Sequence, residues 1–285
     1  MRAAVLGSPI SHSLSPLLHR AGYAALGLAW QYDAREVVPA ELPAFLDSLD
    51  DQWAGLSLTM PLKQTVLPLL GSVSALVTVT GAANTVLLRD GQRHGHNTDV
   101  AGIVAALREA GLTSARRGVV LGGGATAASA LAALSELGCT VAEVRVRSLD
   151  RAQPLLAVAE QLGISLELSL LTADGLSAGL LGGDAADREA VAGGEVVINT
   201  TPAGALDALL PPARPAPVLG LAAPPVLLDV VYHPWPTPLA ALFASRGATV
   251  VPGLAMLLHQ AAAQVELMTG LPAPLEAMRS ALAGR

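Results

Sequence analysis

Aromatic residues are scarce in this chain, with three Trp, three Tyr and two Phe among 285 residues. Its core must therefore be built from Ala, Val and Leu. Charge is sparse too: Lys, Arg, Asp and Glu together make up 14%. The balance is acidic, with a formal net charge of −6. That argues against nucleic acid as a main partner, because phosphate binding relies on Lys and Arg. A single cysteine, Cys139, excludes an intrachain disulfide and a cysteine-based zinc cluster. His94 and His96 lie two apart without acidic or thiol ligands at site-like spacing, so no metal is expected. Every long apolar stretch is cut by Gly, Pro or charge, including the proline-rich connection Leu209–Pro225. No helix that spans a bilayer and no membrane partner are expected. The first residues turn polar at Ser8, Ser11 and His12, too early for a signal-peptide core. The expectation is a soluble cytoplasmic protein.

What is present is an alternation of short apolar runs with longer helical patterns. Strands are predicted at 3–6, 30–37 and 55–58, with helices at 16–26 and 42–49. Runs 85–89 and 93–96 flank Asp90-Gly91, a dipeptide that favours a tight hairpin turn. A helix over 100–110, ended by Gly111, follows this α/β unit and marks a boundary. Beyond it come a strand at 118–121, a glycine loop, a helix through 137 and a strand at 141–146. That order is a βαβ unit and implies a parallel sheet. Further strands fit 166–170, 196–199, 226–231 and 249–251, and helices fit 254–269 and 274–282. The fold class is α/β with two domains.

Gly122-Gly123-Gly124-Ala125 opens a G-x-G-x-x-A pattern between a strand and a helix. In a dinucleotide fold the first glycine makes the tight turn, the second lets backbone approach the pyrophosphate, and phosphate sits at the helix N-terminus. A plain loop is the alternative. At the tip of the next strand an NAD site usually carries an acid. Here Val146 is followed by Arg147, Ser148, Leu149, Asp150 and Arg151. Two arginines four apart can grip a 2′-phosphate, which favours NADP, although Asp150 cuts against it and two solvated surface arginines are the alternative.

Three N-terminal clusters are polar for so apolar a chain. Ser13 and Ser15 precede a helix, with Ser15 expected as N-cap and Pro16 at the first helical position. Hydroxyls beside a helix N-terminus also suit a carboxylate. Lys63, in the run Thr59-Met60-Pro61-Leu62-Lys63, falls in a predicted first turn, where a cation opposes the macrodipole by ~0.3–1 kcal/mol. A locally unfavourable residue points to function, and a snorkelling surface lysine is the alternative. Asn84 and Asp99 belong to the third cluster. Asp99 also sits where the next helix needs a cap.

Taken in order, these segments resemble the shikimate dehydrogenase family along nearly the whole chain. The matches are GSPISHSLSP (7–16), SLTMPLK (57–63), ANT (83–85), NTDxxG (97–102), LGGGA (121–125), NTTPAG (199–204), DVVYHPWPTPL (229–239) and GLAMLLHQA (253–261). The resemblance implies a mixed α/β substrate domain, 1–100 plus 253–285, and a Rossmann-like NADP domain, 101–252, with a cleft between them. It implies NADP-dependent reduction of 3-dehydroshikimate to shikimate, with Lys63 and Asp99 as the catalytic pair. Ser13, Ser15 and Tyr232 would hold the substrate carboxylate, and Thr59, Lys63, Asn84, Asp99 and Gln260 its hydroxyls and reacting oxygen. Gly122, Gly123, Gly124, Ala125, Arg147, Ser148, Arg151 and Thr200 would contact the cofactor, with Gly253 and Met256 against the nicotinamide.

Two positions depart from the family pattern: Leu62, where many members carry His, and Val146-Arg147-Ser148 in place of Asn-Arg-Thr. A quinate/shikimate dehydrogenase using NAD and a non-catalytic ligand sensor are the rivals. So is a Rossmann enzyme acting on folate or glutamyl substrates, against which Ser13, Ser15, Tyr232 and Gln260 favour a small carboxylate. A sensor has no chemical reason to keep both Lys63 and Asp99. A monomer and a homodimer both stay open.

Overall fold

The computed structural model describes residues 1–173, 176, 196–210 and 225–283, so most of the proline-rich connection lies outside the described residues. The chain divides into two compact units, Met1–Gly102 with Leu257–Arg285, and Ile103–Met256. Both divisions fall inside helices.

The first unit holds strands β1 (Arg2–Gly7), β2 (Gln31–Glu36), β3 (Trp53–Leu58), β4 (Ser72–Val73), β5 (Thr85–Arg89) and β6 (Gln92–His96). They form one sheet in the order β2-β1-β3-β5-β6-β4. β1 runs parallel to β2 and β3, whereas β5 is antiparallel to β3 and β6. The hairpin turn is the one its sequence demands, with Asp90 at φ 52° and Gly91 at φ 69°.

Successive side chains of β1 point to opposite faces, and both faces are covered. Ala3 and Val5 pack with Leu18 and Tyr23 of α1 (Ser15–Ala25), with Leu258 and Val265 of α10 (Gly253–Thr269), and with Met278 of α11 (Leu275–Ala283). Ala4 and Leu6 pack the other way, against Leu42 and Leu46 of α2 (Leu42–Asp47), Leu62 of α3 (Leu62–Thr65) and Val77 of α4 (Ala75–Thr80). The segment after residue 256 is thus one wall of the first unit's core.

The second unit is built on β7 (Arg117–Leu121), β8 (Val141–Val146), β9 (Ser165–Leu170), β10 (Val196–Asn199), β11 (Val226–Asp229) and β12 (Thr249–Pro252). Their order is β12-β11-β10-β7-β8-β9, every pairing parallel. The chain starts in the middle, steps outward to β9, then returns to the other side at β10. That reversal is the doubly wound topology, and ligands of such sheets bind outside the carboxyl ends of the strands at the switch point. Among its helices are α5 (Asp99–Glu109), which enters from the first unit, α6 (Ala125–Glu136), α7 (Leu149–Ala152), α8 (Pro154–Gln161) and α9 (Pro238–Ala244). Among the described residues no helix is long and apolar enough to cross a membrane.

Candidate active site

Strand direction gathers the polar clusters of the first unit. Leu6 pairs with Leu58, Ser57 with Thr85, and Thr85 with His96. The exits of β1, β3 and β6 and the entry of β5 therefore share one edge of the sheet. Ser13, Thr59, Lys63, Asn84 and Asp99 all leave from that edge.

Lys63 is the second residue of the single turn α3, too short to carry a macrodipole of consequence. Its Nζ lies 2.5 Å from Asp99 Oδ2, with the two side chains 14% and 5% exposed. The surface-lysine alternative is therefore excluded. Asp99 is the first residue of α5, and the carbonyl of Thr98 accepts the first helical bond, from Gly102. The other carboxylate oxygen, Oδ1, accepts from Asn84 Nδ2 at 2.8 Å. The Asp99 amide is itself held by Asn97 Oδ1 at 3.0 Å. The carboxylate is committed to Lys63 and Asn84, so the capping alternative also falls.

Asn84 is the hub. Its Nδ2 also donates to Thr98 Oγ1 at 2.9 Å and faces Gln260 Oε1 at 3.4 Å, while its Oδ1 accepts from the Thr98 amide at 2.8 Å and from Thr85 Oγ1 at 2.9 Å. Asn84, Thr85, Thr98, Asp99 and Gln260 are all buried. Gln264, one turn beyond Gln260 on α10, donates to Thr85 Oγ1 at 2.9 Å and accepts from Ser57 Oγ at 2.7 Å. Ser57 in turn accepts from the Tyr32 hydroxyl at 2.6 Å. Neither Tyr32 nor Gln264 is singled out by the sequence motifs.

Beneath this array lies His19, wholly buried and stacked on Tyr32 at 3.9 Å between ring centroids. Its Nδ1 bonds the Ser15 carbonyl at 2.9 Å. Burial pushes its pKa down from 6.5 to about 4, against smaller opposing effects of the Ser15 carbonyl and the Gln264 amide. Between those values the unfolded chain binds a proton that the folded one refuses. This part of the stability is complete above pH 6.5 and declines as pH falls toward 4, by at most about 1.4 kcal/mol per pH unit. Denaturation midpoints at pH 7 and pH 5 should fall further for the wild type than for His19→Asn, which keeps a donor where Nδ1 stands. Equal losses in the two proteins would mean that His19 is not held neutral.

The serines differ from expectation in detail. Leu14, not Ser15, occupies the N-cap of α1, and Ser15 and Pro16 are its first two helical residues. The helix starts one residue earlier because Ser13 does the capping chemistry, its Oγ accepting from the Ser15 amide at 3.3 Å. Thr59 is half-buried just past β3, its amide bound to Leu6 O at 2.9 Å.

In the second unit parallel pairing brings the exits of β7, β8, β10, β11 and β12 to one edge. Gly122 has φ 107°, and a Cβ there would meet Thr200 Oγ1 at 2.6 Å. Thr200 sits across the switch point and donates to Leu121 O through both its amide and its hydroxyl, each at 2.8 Å. A Cβ at Gly123 would meet Val146 at 2.9 Å, whereas Gly124 faces open space. No side chain caps α6 at Gly124, so the positive end of its dipole is open to an anion, with Ala125 as its first residue.

Arg147 and Arg151 are both exposed, flanking Ser148, the N-cap of α7. Asp150, in the first turn of α7, is exposed as well. A glycine turn with no room for a Cβ at Gly122 or Gly123, an uncapped helix and two exposed arginines at the tip of β8 fit a dinucleotide bearing a 2′-phosphate.

Tyr232 lies on the loop after β11. That loop is anchored by Asp229, whose carboxylate accepts from Asn199 Nδ2 at 2.9 Å, the Val231 amide at 3.1 Å and Thr237 Oγ1 at 2.6 Å. Burial pushes the Asp229 pKa up, and those three hydrogen bonds draw it back. Gly253 begins α10 where a Cβ would overlap the Val230 carbonyl. Its smallness is thus a packing requirement of this unit, whatever else lies against it. Met256 is buried one turn on. Gly253 and Met256 belong to the second unit, and Gln260 on the same helix to the first. No group of three or more metal-ligating side chains occurs among the described residues.

These features define a two-domain α/β protein: one domain carries a buried ammonium–carboxylate pair ringed by amides, and the other a doubly wound sheet fit for a dinucleotide. The family model described as the shikimate dehydrogenase substrate binding domain matches residues 5–86, and the Shikimate 5′-dehydrogenase C-terminal domain matches 253–283. The Shikimate dehydrogenase (NADP(+)) of Moorella thermoacetica is 35% identical, over 96% of this chain and 90% of its own. The crystal structure of Mycobacterium tuberculosis shikimate dehydrogenase is 41% identical and covers 100% of this chain and 99% of its own, with a TM-score of 0.84. The shikimate 5-dehydrogenase of Thermus thermophilus, solved in complex with NADP(H) and shikimate, is 30% identical at a TM-score of 0.79, covering 100% and 99%. The chain belongs to the shikimate dehydrogenase family.

Proposed function

We propose that this protein is an NADP-dependent shikimate dehydrogenase, interconverting 3-dehydroshikimate and shikimate. The observation that carries the reading is the Lys63–Asp99 pair, buried at 2.5 Å and ringed by Asn84, Thr98 and Gln260. A buried ion pair of this kind is a poor stabiliser compared with apolar packing. As a device for a polar substrate it has a clear use.

Gly122, Gly123, Gly124, Ala125 and Thr200 would hold NADPH, with Arg147, Ser148 and Arg151 toward its 2′-phosphate, and the bound cofactor would supply the hydride. During reduction negative charge builds on the carbonyl oxygen of the substrate. The Lys63 ammonium meets that charge and is placed to give up a proton from Nζ. Asp99 holds the ammonium in position through Oδ2. Asn84 and Gln260 are assigned to the ring hydroxyls, and Thr59 lies on the same edge. Ser13, Ser15 and Tyr232 are assigned to the carboxylate, and Gly253 and Met256 to the nicotinamide. In this reading the first unit is the substrate domain and the second the cofactor domain.

The test follows absorbance of reduced nicotinamide while crossing shikimate and quinate with NADP⁺ and NAD⁺. The shikimate–NADP⁺ pair should turn over fastest. Absence of turnover in all four combinations would refute the enzyme, and faster turnover of quinate with NAD⁺ would favour the quinate/shikimate branch.

A further inference from the structure

Gln264 is 1% exposed, and hydrogen-bond direction around it can be worked out from two main-chain groups of fixed role. The Asn84 carbonyl can only accept, so the Gln264 atom 3.2 Å from it is the NH₂ group. Its Oε1 then faces Ser57, which must donate its one proton there and accept from Tyr32. The same NH₂ donates to Thr85 Oγ1, whose own proton therefore goes to Asn84 Oδ1. The Thr98 amide, which can only donate, reaches that same oxygen. With Oδ1 filled by two donors, the Asn84 NH₂ has to turn toward Asp99. The hydrogen bonds run one way, from Tyr32 through Ser57, Gln264, Thr85 and Asn84 to the Asp99 carboxylate. Such chains strengthen by mutual polarisation.

We propose that Gln264 is a positioning residue for the Lys63–Asp99 site, acting through Thr85 and together with the Thr98 amide to hold the direction in which Asn84 presents its amide to Asp99. This rests on the functional reading above. Gln264 is all but sealed from solvent and is bonded to Ser57, Thr85 and the Asn84 carbonyl, so its effect passes through its neighbours. Ser57 and Tyr32 fix the far end of the carboxamide, so they belong to the same device.

The experiment uses the full chain with Gln264→Met, which keeps length and apolar fit while removing both donor and acceptor. The expected result is a roughly tenfold fall in kcat, an unchanged KM for NADP⁺, and displaced Asn84 side-chain amide resonances in ¹⁵N spectra of the substrate-free protein. Val265→Ala serves as control, since Val265 is a fully buried core neighbour on the same helix. It should lower the melting temperature yet keep kcat at a temperature where both proteins are folded. Wild-type kcat with unmoved Asn84 resonances in Gln264→Met would overturn the proposal, as would an equal loss of kcat in Val265→Ala. If Gln264→Met does not fold, Ser57→Ala decides by the same resonances: displaced, they sustain the proposal; unmoved, they overturn it. A wild type inactive toward shikimate with NADP⁺ would sink the functional reading instead, leaving the resonances to judge Gln264 independently.

Discussion

Lys63→Ala should abolish turnover of shikimate with NADP⁺, with kcat falling roughly 10³-fold or more, because charge stabilisation and proton donation are removed together. NADPH binding, followed by nicotinamide fluorescence, should stay close to wild type, since Lys63 and the glycine turn belong to different units. The structure adds a second consequence. Asp99, 5% exposed in the intact pair, would lose its ammonium and keep Asn84 as its remaining side-chain partner, and an orphaned buried carboxylate is destabilising by several kcal/mol. A lowered melting temperature should therefore accompany the lost activity. Near-normal kcat in Lys63→Ala would remove Lys63 from the mechanism.

The second large effect concerns the choice of cofactor. Arg147→Ala combined with Arg151→Ala should raise KM for NADPH by roughly 30-fold or more, since each charge-assisted bond to a phosphate contributes about 1.5–3 kcal/mol before screening at an exposed site. KM for NADH should barely change, because that dinucleotide has no 2′-phosphate to lose. The ratio of the two KM values is the decisive quantity. Equal increases for both cofactors would mean that the arginines act on the shared pyrophosphate or on the loop itself, and the assignment to the 2′-phosphate would fail. Asp150 stands between them in sequence and is the residue that opposes this assignment, so measuring Asp150→Ser alongside would be a natural extension.

The two halves of the fold are unequally legible in the sequence. Features set by neighbours along the chain are plain: Asp90-Gly91 specifies its hairpin, and a strand followed by Gly122-Gly123-Gly124 and an Ala-rich helix specifies the βαβ unit. The helix α4 is not. Its residues Val77-Thr78-Val79-Thr80 are β-branched and lean toward strand. The cap decides instead, with Ser74 Oγ accepting from the Val77 amide at 3.4 Å. At the site, motif spacing singles out Lys63, Asn84 and Asp99, but local sequence cannot choose between a cap and a catalytic carboxylate for Asp99. That choice depends on a partner 36 residues away. Gln264 leaves no signal at all, because Thr85 lies 179 residues from it and Ser57 lies 207. An amide on an apolar helix reads as an exposed position until the strands beneath it are known.

The way α10 and α11 close the first unit has a consequence for synthesis. Ala3, Val5, Leu18 and Tyr23 leave the ribosome before the second unit, yet the side chains that cover them, Leu258, Val265 and Met278, follow only after all of it. At ordinary elongation rates that gap of roughly 150 residues lasts on the order of ten seconds or more. The nascent chain must carry an uncovered apolar sheet through that interval, while the unbroken second unit is free to fold ahead of it. Gln260 arrives on the same late helix, so the pocket around Lys63 is completed only after the whole second unit has been made.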